Sequence, residues 1–313
     1  MKYTTQKLNI DELDNEIKIH LSLWSNPQLL KIFAARDSVQ CFYLCCYRET
    51  QLVALMPIME KKKMGITYIT QLFEQSYTTI DFFNVDQSNL YSEQNEQIMI
   101  LKSFSLYLKK YLKVSLKFDP TIIDIRPFKW DGFHIGVNYT YTCTIPEYRE
   151  ESLPRIAKEK LKKALKAHLI VQEHWDIDIV KNISEEMLLL KNRSLRQVHH
   201  KYLAFLENLY DAKLCHQIVV YKDTTPISFT IFLKDPKSIF LCAFVTGTTK
   251  LGYSIGANTL GTDYILKNFN QYHQYDFCGA NIESIAFYKS QLNFELKNYY
   301  SISKKVFDIK IGI

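Results

Sequence analysis

The stretch SIFLCAFVTGTTKLGYSIGANTLGTDYILKNFNQYHQYDFCGANIESIAFYK, residues 238 to 289, reads as apolar run, glycine-bearing turn, helix-length segment, second apolar run and short helix. Ser238–Thr246 and Tyr272–Cys278 are rich in β-branched and aromatic residues and have the length of strands. The segment from about Gly256 to Phe269 has the length of a helix, and Glu283–Ser290 that of a shorter one. Strand, helix, strand is the order of an α/β unit. Gly247, Gly252, Gly256, Gly261 and Gly279 all fall here, in a chain with only 9 glycines in 313 residues, where the usual share is about 7%. A helix that starts behind a strand presents unpaired N–H groups and the positive end of its dipole. With glycines beside it, such an end is a cradle for a pyrophosphate. Gly252, Gly256 and Ala257 lie just ahead of the expected helix.

Upstream, His216–Asp223 and Pro226–Leu233 read as a hairpin leading into the strand at 238. Ser184–Tyr210 is a long polar helical region, and Pro154–His168 a helix with Ala157, Leu161, Ala164 and Leu165 inward. Tyr139–Thr142 alternates as a strand and opens the second half, and a last strand is expected near Tyr299–Val306. The first half repeats the plan. Helical segments over Glu12–Ala35 break at Asn26-Pro27, followed by the strands Cys41–Tyr47 and Leu52–Met59 around the turn RETQ. ITYITQLF is a further strand. Ile98, Leu101, Phe104, Leu108 and Leu112 mark a helix over Glu93–Leu112, and VSLKFDP and TIIDIRPF flank Pro120 as short strands. The two hairpins share a pattern 174 residues apart, Tyr47-Arg48-Glu49-Thr50 against Tyr221-Lys222-Asp223-Thr224. A duplicated α/β domain is the physical reading, with domains over 1–138 and 139–313.

Composition narrows the class. Hydrophobic residues at 47% and charged residues at 23% describe a globular chain. Neither G-x-x-x-x-G-K-[ST] nor G-x-G-x-x-G occurs, so the P-loop and Rossmann routes are excluded. The seven cysteines have no framework spacing, and no C-x-x-C or H-x-x-x-H is present; no metal is expected, and reduced thiols fit a cytoplasmic protein. Cys215 beside His216 is a candidate nucleophile, set against the plainer reading of a small buried apolar residue. There is no apolar leader at the N-terminus and no run long enough for a membrane span. The net charge of +6 suits an anionic ligand.

Tyr275-Asp276-Phe277-Cys278-Gly279-Ala280-Asn281, followed by Ile285-Ala286-Phe287-Tyr288-Lys289 and Phe294, resembles the signature of the FemABX/BioF2-like branch of the GNAT acyltransferases. TYTCTI with KEKLKKALKAHLIVQE, Asn192-Arg193-Ser194-Leu195-Arg196-Gln197, and ETQLVALMPIMEKKKMG with TQLFEQSYTTIDFF are similar to other segments of that branch, in the same order. The resemblance implies an α/β (α+β) fold of two tandem GNAT-like domains, with mixed, mostly antiparallel sheets and flanking helices. The first domain would serve acceptor binding and support, and the second would hold the donor and catalysis. It implies transfer of an acyl group from acyl-CoA (acetyl-CoA) to the amine of a small molecule, an amino sugar or a cell-envelope precursor. The donor would lie between the strands ending at Thr246 and Cys278, against Phe244, Val245, Thr246, Gly252, Gly256, Ala257, Asn258 and Asn281. Asp276, Tyr288 and Lys289 are the catalytic candidates, as base or amine anchor, acid to the leaving group, and polariser of the carbonyl.

Each candidate has a plainer reading as a turn cap, a packed ring or a solvated lysine. Arg193, Arg196 and His199 are candidates for gripping the acceptor, or for a solvated face. Fem ligases use the same scaffold with aminoacyl-tRNA and add amino acids to cell-wall precursors, so tRNA is the alternative donor; a catalytically silent binding protein is the third reading. The sequence departs from the usual [QR]-x-x-G-x-[GA] pyrophosphate motif, reading Lys250-Leu251-Gly252-Tyr253-Ser254-Ile255-Gly256-Ala257. It also has no counterpart to the two-helix arm of many Fem ligases. Lys158, Lys162 and Lys166 form a basic stripe on their helix, either a solvated face or a binding site for a phosphate-rich donor.

Overall fold

The computed structural model describes residues 2–85, 88–190, 199–237 and 239–305. By its internal contacts the chain forms two units, residues 1–138 with 298–313, and residues 139–297.

The first unit opens with β1 (Tyr3–Asn9), α1 (Asn15–Lys18) and α2 (Pro27–Asp37). Asn26 caps α2 by accepting from the amides of Gln28 and Leu29, and Pro27 occupies the first turn, where a missing N–H costs nothing. Then come β2 (Gln40–Arg48), β3 (Gln51–Lys63), β4 (Ile66–Ile69), β5 (Asp81–Phe82), α3 (Leu90–Leu108), β6 (Lys113–Lys117), α4 (Arg126–Trp130) and β7 (His134–Thr144). β1 to β4 pair antiparallel in sequence order, and β4 meets β6 in parallel. Leu44, Val53, Met56, Phe104, Phe118 and Phe128 lie in the core under α3.

Two expectations fail here. α3 stops at Leu108, leaving Leu112 half exposed, because the chain must extend from Lys113 to enter the sheet. TIIDIRPF is not a strand. Asp124 accepts from the Arg126 amide, and Pro127, which has no N–H for a ladder, sits in the first turn of α4.

The second unit adds α5 (Arg155–Lys166), β8 (Leu169–Glu173), α6 (Ile177–Leu190), α7 (His200–Asp211), β9 (Cys215–Lys222), β10 (Thr225–Lys234), β11 (Phe240–Thr248), α8 (Lys250–Ile255), α9 (Ala257–Asn268), β12 (Gln274–Asp276) and α10 (Glu283–Ser290). β8, β9, β10 and β11 pair antiparallel in that order; β11 meets β12 in parallel, and β12 meets the Thr142–Thr144 end of β7 antiparallel. The plan repeats that of the first unit. Both hairpin turns also carry a non-glycine residue in the left-handed region at equivalent places, Glu49 at φ 59° and Asp223 at φ 55°. The last strand, β13 (Glu295–Lys305), pairs antiparallel with β6 over Ser301–Lys305, so its end belongs with the first unit and not with residues 139–297.

The helix expected from Gly256 is two helices. Thr249 caps α8 by accepting from the Gly252 amide at 3.0 Å, and Gly256, at φ 82°, turns the chain into α9. On α5, Ala157, Leu161 and Ala164 face inward, but Leu165 is 60% exposed, because the buried face of this helix is narrow. Within the region read as helical over Ser184–Tyr210, α6 and α7 are described on either side of residues 191–198; Arg193 and Arg196 lie outside the described residues.

Candidate active site

The parallel ladder between β11 and β12 is short. It joins Phe240 to Gln274, Leu241 to Tyr275 and Cys242 to Asp276. Past Asp276 the backbone follows β7, with the Phe277 amide donating to Tyr141 O at 3.0 Å and the Ala280 amide to Tyr139 O at 2.6 Å. β11 runs on to Thr248 beside β10. Ile231 faces Val245 and Phe232 faces Ala243, so Phe244 is the extra residue of a bulge, which bends its strand. The result is a fork in the middle of a sheet. Leu241 and Cys242 are fully buried, whereas Ala243–Val245 are half-buried and Thr246 is exposed. An extended ligand can lie along such an opened edge and bond to backbone groups.

The turn closing the fork is held from both sides. Asp276 Oδ1 accepts from Thr140 Oγ1 and from the Cys278 amide, both at 2.6 Å, and Thr140 Oγ1 accepts from the Gly279 amide at 3.0 Å. Lys289 Nζ, reaching in from α10, donates to Phe277 O at 2.9 Å and to Gly279 O. Asn281 Oδ1 accepts from the Tyr139 amide at 2.9 Å. Cys278 and Gly279 both take positive φ, 53° and 117°, a conformation that needs such support. Burial pushes the Lys289 ammonium down to about 8, against the opposing pull of Cys278 and Asp276. The structure thus brings Asp276, Lys289 and Asn281 to one turn.

Tyr288 lies on α10 with its hydroxyl buried beside Thr259 and Thr262 of α9. Burial pushes it up to about 12, and Lys160 Nζ lies 5.3 Å from its ring centre. The helix end after β11 differs from a ready pyrophosphate cradle. Glu186 of α6 accepts from the Lys250 amide at 3.1 Å, so the protein's own carboxylate already occupies that position. A Cβ on Gly252 would meet Ile227 O at 2.5 Å, and one on Gly256 would meet Lys160 O at 2.4 Å. Both glycines therefore admit neighbouring protein backbone. Ala257 is fully buried, and Asn258 is half-buried on the first turn of α9.

His199 is the N-cap of α7. Its Nδ1 accepts from the Lys201 amide at 3.4 Å, and its ring lies 4.1 Å from that of His200, which is possible because His199 precedes the helix. Cys215 is buried, and burial pushes its thiol up to about 12, while His216 bonds Glu173 at 2.9 Å; the two do not form a nucleophile and its base. Thr140, Glu186 and Thr249 were not among the sequence candidates. Thr249 was within reach, being a threonine at the start of a helix. Thr140 and Glu186 act on residues 136 and 64 positions away, which no local spacing reveals.

Among the described residues no group of three or more His, Cys, Asp or Glu side chains is placed to hold a metal, and no helix is long and apolar enough to cross a membrane.

No family model and no curated protein sequence matches the chain. Solved structures do. FemX superposes with a TM-score of 0.67 at 12% identity, covering 94% of this chain and 96% of its own. A C-terminal domain assigned to a lysylphosphatidylglycerol synthetase from Agrobacterium fabrum gives 0.58 at 8% identity, covering 89% and 87%. A tandem GNAT protein from the clavulanic acid biosynthesis pathway gives 0.50 at 9% identity, covering 98% and 100%. The chain has a Fem/GNAT-like fold, α/β with two tandem GNAT-like units, mostly antiparallel sheets and flanking helices.

Proposed function

We propose that this protein is an N-acyltransferase that moves an aminoacyl group from a tRNA-borne ester to an amine. The fork between β11 and the turn at 277–281 is the observation that carries this reading. The acyl carbonyl lies along Ala243–Thr246, where backbone N–H groups and the Lys289 ammonium stabilise the oxyanion as it forms. The acceptor nitrogen attacks the ester carbon, a C–N bond forms and the ester C–O bond breaks. The proton lost by nitrogen ends on the departing ribose oxygen. Asp276 holds the turn, and Tyr288 packs α10 against α9; a buried phenol pushed up to about 12 is poorly matched to proton transfer near neutral pH. Asn281 positions the turn against β7.

Acyl-CoA is the donor that the sequence resemblance implies first. The α8 end argues for the other donor. Glu186 occupies the Lys250 amide, Gly252 and Gly256 are closed by protein backbone, and the [QR]-x-x-G-x-[GA] motif is missing. The similarity to FemX and to a lysylphosphatidylglycerol synthetase domain adds support. The acceptor is proposed as a small amine, an amino sugar or a peptide-bearing cell-envelope precursor. The test is to incubate the full chain with tRNA charged with labelled amino acids, or with labelled acetyl-CoA, and a panel of these acceptors. Label passing to an amine from tRNA alone is expected; label passing only from acetyl-CoA sinks the donor assignment, and no transfer from either sinks the reading.

A further inference from the structure

α5 is chemically unlike the rest of the chain. It carries six basic residues and one acidic residue in twelve, so it alone accounts for five of the six net positive charges of the protein. The one acid, Glu159, pairs with Arg155 at 2.7 Å. Among the described residues no carboxylate lies within ion-pair distance of Lys158, Lys162, Lys163 or Lys166, and the last three are exposed. With one acid, Glu159, to six bases, this concentrated charge repels itself, and a polyanion relieves it.

The arrangement selects the kind of polyanion. Lys158, Lys162 and Lys166 recur every four residues, so they lie about 6 Å apart and span about 12 Å along one face. That row is longer than one pyrophosphate and suits a strand of linked phosphates. A membrane surface fits less well. The two exposed apolar residues, Ile156 and Leu165, are nine positions apart, half a turn out of phase, so they cannot enter a bilayer together. Place matters too. The Lys160 carbonyl abuts Gly256, between α8 and α9, and Lys160 Nζ bonds Gln291 at 2.7 Å, just beyond α10, which carries Lys289. The helix that carries the basic face thus packs, through Lys160 on its other side, against the elements that build the candidate site.

We propose that Lys158, Lys162, Lys163 and Lys166 of α5 dock the phosphate backbone of the RNA that bears the aminoacyl ester; this rests on the donor assignment above. The test measures binding of unacylated tRNA to the full chain across a salt series, for wild type and the triple variant K162E/K163E/K166E. Circular dichroism checks that the variant is folded, as expected for three exposed positions. The wild type should bind in a salt-dependent way, and the variant should bind at least tenfold more weakly, with a log–log salt slope shallower by about 2 to 3. In the transfer assay the variant should raise KM for charged tRNA while kcat stays within twofold. Equal affinity and slope in the two proteins overturns the proposal, as does binding of wild type to phosphatidylglycerol vesicles in preference to tRNA. If wild type transfers from tRNA and the variant is unimpaired, only the docking face is wrong; if wild type takes nothing from tRNA, the donor assignment itself has failed.

Discussion

Lys289 combines two roles that pull in different directions. Its ammonium holds the carbonyls of Phe277 and Gly279, yet burial lowers its affinity for the proton to about 8, from the ordinary 10.5. Between those two values the unfolded chain binds more protons than the folded one, so this residue makes stability rise as pH climbs from about 8 to 10.5. Urea midpoints of wild type should show that rise, and Lys289→Met should flatten it. In the proposed transfer reaction the charged form is the one that would act, so kcat/KM should fall above pH about 8. Lys289→Arg, which stays charged, should lose that limb, and Lys289→Met should lower kcat/KM by about 100-fold. Thr140 is the second residue to vary. Thr140→Val leaves the Gly279 amide without its acceptor and removes one donor to Asp276, at a cost of about 1–3 kcal/mol in urea unfolding. Asp276 and Lys289 were visible in the sequence as members of a motif. The turn-cap reading of Asp276 was open there too, through the local bond from the Cys278 amide, but the bond from Thr140 was not, because Thr140 lies 136 residues away.

Among the elements, α8 and α9 show where reading by pattern stops. The glycine cluster drew attention to 247–279, but glycine permits close approach by any group, and at Gly252 and Gly256 the groups are the carbonyls of Ile227 and Lys160. Gly256→Ala places a Cβ 2.4 Å from Lys160 O at φ 82°, and should destabilise by about 2–4 kcal/mol. Gly65 is the control. It has φ 78° with open space around its Cβ position, so Gly65→Ala should show the backbone strain alone, about 1–2 kcal/mol. Thermal melts of the two variants separate the contributions, and equal losses would mean that α5 yields to the new methyl group. The two hairpins were legible because alternation and turn residues are local, whereas β1 and β8 were not expected and TIIDIRPF was expected as a strand that does not form. The end of α3 at Leu108 and the exposure of Leu165 were not legible, since both depend on what the neighbouring elements cover.

At the scale of the molecule, the repeat at 174 residues and the order of elements gave the duplication, and the fold follows it through both units. The return of β13 to the first unit was hidden, because a strand's sequence does not name its partner. With Glu186 on the Lys250 amide, acetyl-CoA or CoA at millimolar concentration should leave the melting temperature unchanged, whereas a bound ligand must raise it. The most direct test of the whole account is the fate of the label in a single incubation of the full chain with charged tRNA, acetyl-CoA and an amine acceptor, the two donors carrying different labels. The tRNA-borne aminoacyl group should appear in an amide product, and that product should be lost in Lys289→Met. Appearance of the acetyl label instead, or an amide yield indifferent to Lys289, would contradict it.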